Sequence, residues 1–178
     1  WRTCVAGNGG PPYRTVRIDC AMTGRALRPD ALVGVAAVVP VSGLNVLRDG
    51  VIVLISPSHA ALDQRIEFVR GMHTTSSLLE ELPGGTTMAD AQTVVLDYIK
   101  AWVPEPRKAP LAGNSVGTDK TFLDRDMPEL MEHLHYRVID VSSIKELARR
   151  WYPRIYFASP EKNGGHRALA DILDSIDE

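Results

Sequence analysis

Three aspartates and one histidine are the residues of this chain whose types and order could do chemistry together: Asp19, Asp119, Asp171 and His166. Asp19 is expected to end a short strand-like run, Val16-Arg17-Ile18, just ahead of Thr23-Gly24. A carboxylate on a strand end is held rigidly. Positions i and i+2 of a strand point to one face, so residues 19 and 21 look the same way. An acid at position 21 would complete half of a metal-binding pair, but the residue is Ala21. Converging carboxylates are what hydrolysis with hard divalent cations needs. A histidine beside them suits proton transfer from water, because its pKa lies near working pH. His166 and Asp171 are five apart, which on an ideal helix at ~100° per residue separates their faces. His166 is therefore expected just ahead of the last helix or in its first turn, where Gly164-Gly165 could let it swing in over substrate. Taken singly, each has a blander reading. Asp19 is then an ordinary strand-end residue, Asp119 a helix cap, Asp171 a solvated side chain and His166 a surface histidine.

The elements that must position these residues follow from pattern. Thr15 to Asp19, Ala31 to Val39 and Gly50 to Ile55 read as three strands. The second is almost wholly apolar, as a central strand should be. Their short connections imply an antiparallel start to the sheet. Residues 60–70 and 74–82 read as helices, the second stopped by Pro83-Gly84-Gly85. Thr86 or Thr87 can cap a helix running to Trp102 with Ala91, Val94, Val95, Tyr98 and Trp102 on one face. Pro104 and Pro106 end it. Strands are expected over 110–114 and 136–140. Helices are expected from Gly117 to Asp124, from Met127-Pro128 to Leu134, from a Ser142 or Ser143 cap to Trp151, and from His166 to Ile176. Residues 155–165 read as a loop. The pattern gives a mixed five-stranded α/β sheet flanked by helices, in one domain over residues 15–178. Residues 1–14, rich in Gly and Pro, read as a flexible leader.

Bulk properties narrow the function classes. The chain has 178 residues, enough for one domain with a proper core. A formal net charge of −2 argues against a broad basic surface that grips long nucleic acid, though not against a pocket for a few nucleotides. Two cysteines, Cys4 and Cys20, suggest no disulfide framework, and Cys20 reads as a small core residue. No apolar run approaches the ~20 residues of a membrane span, and no signal segment opens the sequence. The expected compartment is the cytoplasm.

Four stretches in order carry a resemblance: Ile18-Asp19-Cys20-Ala21-Met22-Thr23-Gly24; Pro110-Leu111-Ala112-Gly113-Asn114-Ser115-Val116-Gly117-Thr118-Asp119; His135 through Leu147, with Arg149-Arg150-Trp151-Tyr152-Pro153; and His166-Arg167-Ala168-Leu169-Ala170-Asp171-Ile172. Together they resemble oligoribonuclease, the DEDD-type 3′–5′ exoribonuclease family that trims very short RNAs. The wording is closest to actinobacterial members. The resemblance implies a ribonuclease H-like fold and two-ion phosphodiester hydrolysis with Mg2+ or Mn2+. Asp19, Asp119 and Asp171 then match metal ligands, and His166 matches the general base. Ser76, Tyr136 and Arg137 match contacts to the 5′ phosphate of a dinucleotide, the latter two from the partner of a homodimer. His73, Asn114 and Ser115 fall among the substrate-binding positions.

The pattern also breaks. The family glutamate two residues after the first aspartate is Ala21, which can ligate nothing. An aromatic residue ahead of the first Ile-Asp is Arg17, an apolar residue after Met-Thr-Gly is Arg25, a second-strand glutamate is Gly34, and a glycine after Ser76 is Ser77. The expectation is an exoribonuclease impaired at Ala21. The alternative is a catalytically inactive relative that binds nucleotides or a partner protein. Several scattered losses fit a decayed or repurposed copy better than an engineered substrate trap.

Overall fold

The computed structural model describes residues 14–27, 30–40, 50–56, 84–158 and 172. The expected helices over 60–70, 74–82 and 166–176 lie outside the described residues, apart from Ile172, which is helical and buried. So do His73, Ser76, His166 and Asp171.

Five strands form one sheet: β1 (Val16–Met22), β2 (Leu32–Val38), β3 (Val51–Leu54), β4 (Pro110–Gly113) and β5 (His135–Asp140), in the order β3-β2-β1-β4-β5. The first three pair antiparallel, and β4 and β5 add in parallel. Every residue of β2 is buried, as its unbroken apolar run requires. β1 is longer than the sequence suggests. Pairing with β2 continues from Arg17–Val38 through Asp19–Ala36 and Ala21–Gly34 to Met22–Leu32. Asp19 is thus a mid-strand residue and not a strand end. A cross-strand partner, which local pattern cannot show, overrides the nearby turn signal.

Five helical segments are described: α1 (Met88–Trp102), α2 (Gly117–Asp126), α3 (Pro128–His133), α4 (Val141–Trp151) and the short α5 (Pro153–Tyr156). Thr87 caps α1, its hydroxyl oxygen accepting the Asp90 N–H at 3.2 Å. The buried face of α1 is Ala91, Val95, Leu96 and Ile99. Val94, expected on that face, is 47% exposed, because the stripe turns through Leu96 and Ile99 instead. α1, α2 and α3 close over one face of β1, β2 and β4 around Ile18, Val35, Leu111, Phe122 and Leu130. α5 occupies the start of what reads as a loop, with Pro153 at its first helical position. Among the described residues no helix is long and apolar enough to cross a membrane.

Candidate active site

The site begins where β4 leaves the sheet. β4 pairs with β1 only at Val16–Leu111 and Arg17–Ala112, then ends at Gly113. A Cβ on Gly113 would stand 2.8 Å from the Ile18 carbonyl oxygen, so glycine alone allows β4 to pass this close. Beyond it β1 carries on with no strand on that side among the described residues, and its backbone groups there need other partners. α2 supplies one. Asp119, in its first turn, accepts the Cys20 N–H at 3.0 Å through Oδ1. Val116, at the cap position of α2, makes no side-chain cap, and the Asp119 carboxyl also accepts its own first-turn N–H. To the helix-cap reading of Asp119 the fold adds a contact spanning 99 positions.

Asp119 is 5% exposed. Burial raises its carboxyl to about 6, against the opposing pull of hydrogen bonds from Cys20 and from its own backbone. Cys20 feels both acids. Burial pushes its thiol well above the ordinary value, and the charges of Asp119 and then Asp19 push it further. Cys20 is a core residue as expected, and its N–H ties Asp119 to the strand position next to Asp19. Ala21 shares the face of Asp19 and ends in a methyl group. Its cross-strand partner is Gly34, so two of the departures from the family pattern face each other. A Cβ on Gly34 would meet the Ala21 Cβ at 3.4 Å.

A second cluster forms where β4 and β5 end side by side, at the Gly113–Asp140 pair. Ser115 sits in the left-handed region at φ 51°. Its N–H is shared between Asp140 Oδ1 at 2.9 Å and Ser142 Oγ at 3.0 Å. The Ser115 and Ser142 hydroxyls are 3.1 Å apart, and Ser142 Oγ donates to Asn114 Oδ1 at 3.5 Å. Asp140 caps α4, accepting the Ser142 N–H at 3.0 Å and the Ser143 hydroxyl at 2.9 Å. The expected serine cap gives way to an aspartate, whose two oxygens serve both serines. Asn114, Ser115, Ser142, Lys145, Glu146 and Tyr156 line an open pocket of about 340 Å³. Glu146 is held down to about 2 by hydrogen bonds from Arg149 and Arg150.

Ser142 and Lys145 did not figure as site residues in the sequence reading. The signal that could have found them is the parallel pairing of β4 with β5, which brings residues 114–115 and 141–145 to one sheet edge. Tyr136 and Arg137 stand elsewhere, on the edge strand β5. Tyr136 is 75% exposed, which excludes core packing. Arg137 Nε donates to its hydroxyl at 3.0 Å, and His135 stacks on its ring at 4.5 Å.

An RNase T-type exonuclease profile matches residues 16–178. An oligoribonuclease from Streptomyces griseus is 64% identical over 165 residues, spanning 93% of this chain and 82% of the relative. Oligoribonucleases from Cutibacterium acnes and Mycobacterium ulcerans are 60% and 56% identical, over 92% of this chain and 81% and 76% of theirs. The chain belongs to the oligoribonuclease family of exonucleases. The fold agrees. Exonuclease I from Methylocaldum szegediense superposes with a TM-score of 0.68 at 16% identity. A zinc-bound complex of Escherichia coli exonuclease I with single-stranded DNA gives 0.63 at 15%. Each match covers 92% of this chain but only 38% and 39% of the exonuclease I chain, and at such identity it speaks for the fold alone.

Exonucleases of this family work with divalent metal ions. Asp19 and Asp119 fit such an ion in kind: both offer hard, anionic oxygens, and burial leaves the Asp119 charge in need of compensation. Ala21 offers no ligand. Among the described residues no group of three or more His, Cys, Asp or Glu side chains is placed to hold an ion. Asp19 and Asp119 would each supply an oxygen ligand to such an ion.

Proposed function

We propose that this oligoribonuclease-family protein is a cytoplasmic 3′–5′ exoribonuclease for very short RNA, dinucleotides above all, and that its metal-dependent step is weakened at Ala21. The observation that carries the reading is the hydrogen bond from the Cys20 N–H to Asp119, which fixes a buried carboxylate from α2 beside the acid of β1. Mg2+ or Mn2+ bound there would activate water and stabilise the departing 3′ oxygen. Asp19 and Asp119 act as ligands in this reading, Asp171 as a third ligand, and His166 as the base that accepts the water's proton. A carboxylate at position 21 would add a further hard ligand. Its loss costs transition-state stabilisation, and each ~1.4 kcal/mol lost slows the reaction about tenfold.

The pocket at the end of β4 suits the 5′ phosphate. Two hydroxyls, an amide and the Lys145 ammonium line it as phosphate donors, beside the Glu146 carboxylate, whose charge Arg149 and Arg150 offset. Ser76 and His73 join it in this reading. Tyr136 and Arg137 point out from an edge strand and act across a homodimer. A continuous apolar strip supports that pairing: Ile144, Leu147 and Trp151 lie along one stripe of α4, and Ile155 and Phe157 follow, all between 42% and 79% exposed.

The test is cleavage of a 5′-phosphorylated diribonucleotide with Mn2+, by the unmodified protein and by Ala21→Glu. Slow cleavage that rises by at least about tenfold in the variant bears out the proposal. Full activity in the unmodified protein would refute the impairment. The pocket of Asn114, Ser115, Ser142 and Lys145, beside an acid face that lacks a carboxylate at Ala21, favours a second reading: a nucleotide-binding protein without catalysis. Tight binding with cleavage only after Ala21→Glu would select it.

A further inference from the structure

Arg17 lies within β1, paired with Val38 of β2 and Ala112 of β4, two residues with no exposure at all. Arg17 itself is 7% exposed. An arginine so placed keeps its charge, because the guanidinium does not give up its proton in proteins. The strand period puts it on the face of Asp19, two residues and about 7 Å along the strand. The cross-strand neighbours of that stretch are small or apolar: Val38 opposite Arg17, Ala36 opposite Asp19 and Gly34 opposite Ala21. Arg17 is buried, so its charge is screened less than it would be in water, and a neighbouring acid on the same face feels it.

We propose that Arg17 is a fixed counter-charge on the acid face of β1 and lowers the affinity of Asp19 and Asp119 for a divalent cation. The inference rests on the reading of those two acids as metal ligands. Arg17 and Ala21 then act in one direction. One adds a positive charge to the face, and the other withholds a negative one. A cation entering beside Asp19 meets a carboxylate whose field is already partly cancelled, and it is itself repelled. A unit charge within about 10 Å of a doubly charged ion, at an effective dielectric constant of about 20, changes its affinity by more than about tenfold.

The experiment titrates the intact chain with Mn2+ near neutral pH and reads free ion by electron paramagnetic resonance, which needs no turnover. Arg17→Met removes the charge and keeps the length. It should tighten Mn2+ binding by about tenfold or more. Arg17→Lys keeps the charge and should leave the dissociation constant within about threefold of the parent. Arg17→Gln serves if the methionine variant does not fold. Asp19→Asn tests the underlying reading separately and should abolish binding. Unchanged or weaker binding in the uncharged variants, with Asp19→Asn still abolishing it, overturns the role of Arg17 and leaves the ligand reading intact. Undiminished binding in Asp19→Asn overturns both.

Discussion

Asp119→Asn should stabilise the metal-free protein at neutral pH while abolishing its use of metal. In the fold the carboxyl titrates at about 6 instead of its ordinary 3.8, chiefly because it is buried. At 1.4 kcal/mol per tenfold, ionising it in place costs about 3 kcal/mol. A raised folded-state pKa means that the folded chain binds the proton more tightly than the unfolded chain. The associated stability is present below about pH 4 and is lost as pH rises through about 6. Asparagine carries no charge and keeps an oxygen that can accept the Cys20 N–H. Urea unfolding in a chelator should therefore show little difference between parent and variant near pH 4. Near pH 7.5 the variant should gain up to about 3 kcal/mol, the upper bound set by the shift. Added Mn2+ should raise the melting temperature of the parent and not of the variant, because ligand binding to the native state alone stabilises it. An equal effect of the substitution at both pH values would mean that burial does not govern Asp119. A loss of stability near pH 7.5 would mean that the carboxylate is a net structural asset.

Other substitutions probe the supports of the site. Gly24→Ala should cost about 1–3 kcal/mol, read as a lower melting temperature. Its Cβ would stand 2.6 Å from Asp30 Cγ and 2.7 Å from Oδ1, and Asp30 is 3% exposed and accepts the Ala26 N–H at 2.8 Å, so it has little room to yield. Thr87→Ala removes the cap of α1 and should cost about 1 kcal/mol in urea unfolding, without touching Mn2+ affinity. Trp151→Asp, at a position 66% exposed, should halve the mass seen by light scattering if α4 joins two copies, and leave it unchanged if it does not.

Much of this was legible in the sequence wherever the signal is local or is carried by motif wording. The apolar run of β2, the Thr87 cap, the breaks at Pro104 and Pro128 and the mixed five-stranded sheet all follow from periodicity and turn chemistry. What pattern missed depends on partners distant in the chain. The extension of β1 to Met22 comes from β2, and the orientation of Asp119 from an unclaimed amide of Cys20. The capping of α4 by Asp140 serves two neighbouring serines at once, so choosing a cap by residue type favoured the wrong one. Val94 shows the limit of reading a helix face from apolar spacing alone: the face is set by what it packs on.

The pairing of Ala21 with Gly34 bears on what the missing glutamate means. Residues directly opposite on a ladder are near enough that like charges repel. Two glutamates there, close to Asp19, would form a crowded acidic patch that is costly in the bare fold and bearable chiefly with cations between them. The two absences fall on one cross-strand pair, so both remove negative charge from the same spot beside Asp19. The geometry also favours Ala21→Glu as a fair test. Gly34 leaves space opposite, where even a Cβ would find only ordinary contacts, the nearest at 3.4 Å. A new carboxylate at position 21 stands on the face of Asp19, and far-ultraviolet circular dichroism of Ala21→Glu separates its effect on metal binding from misfolding.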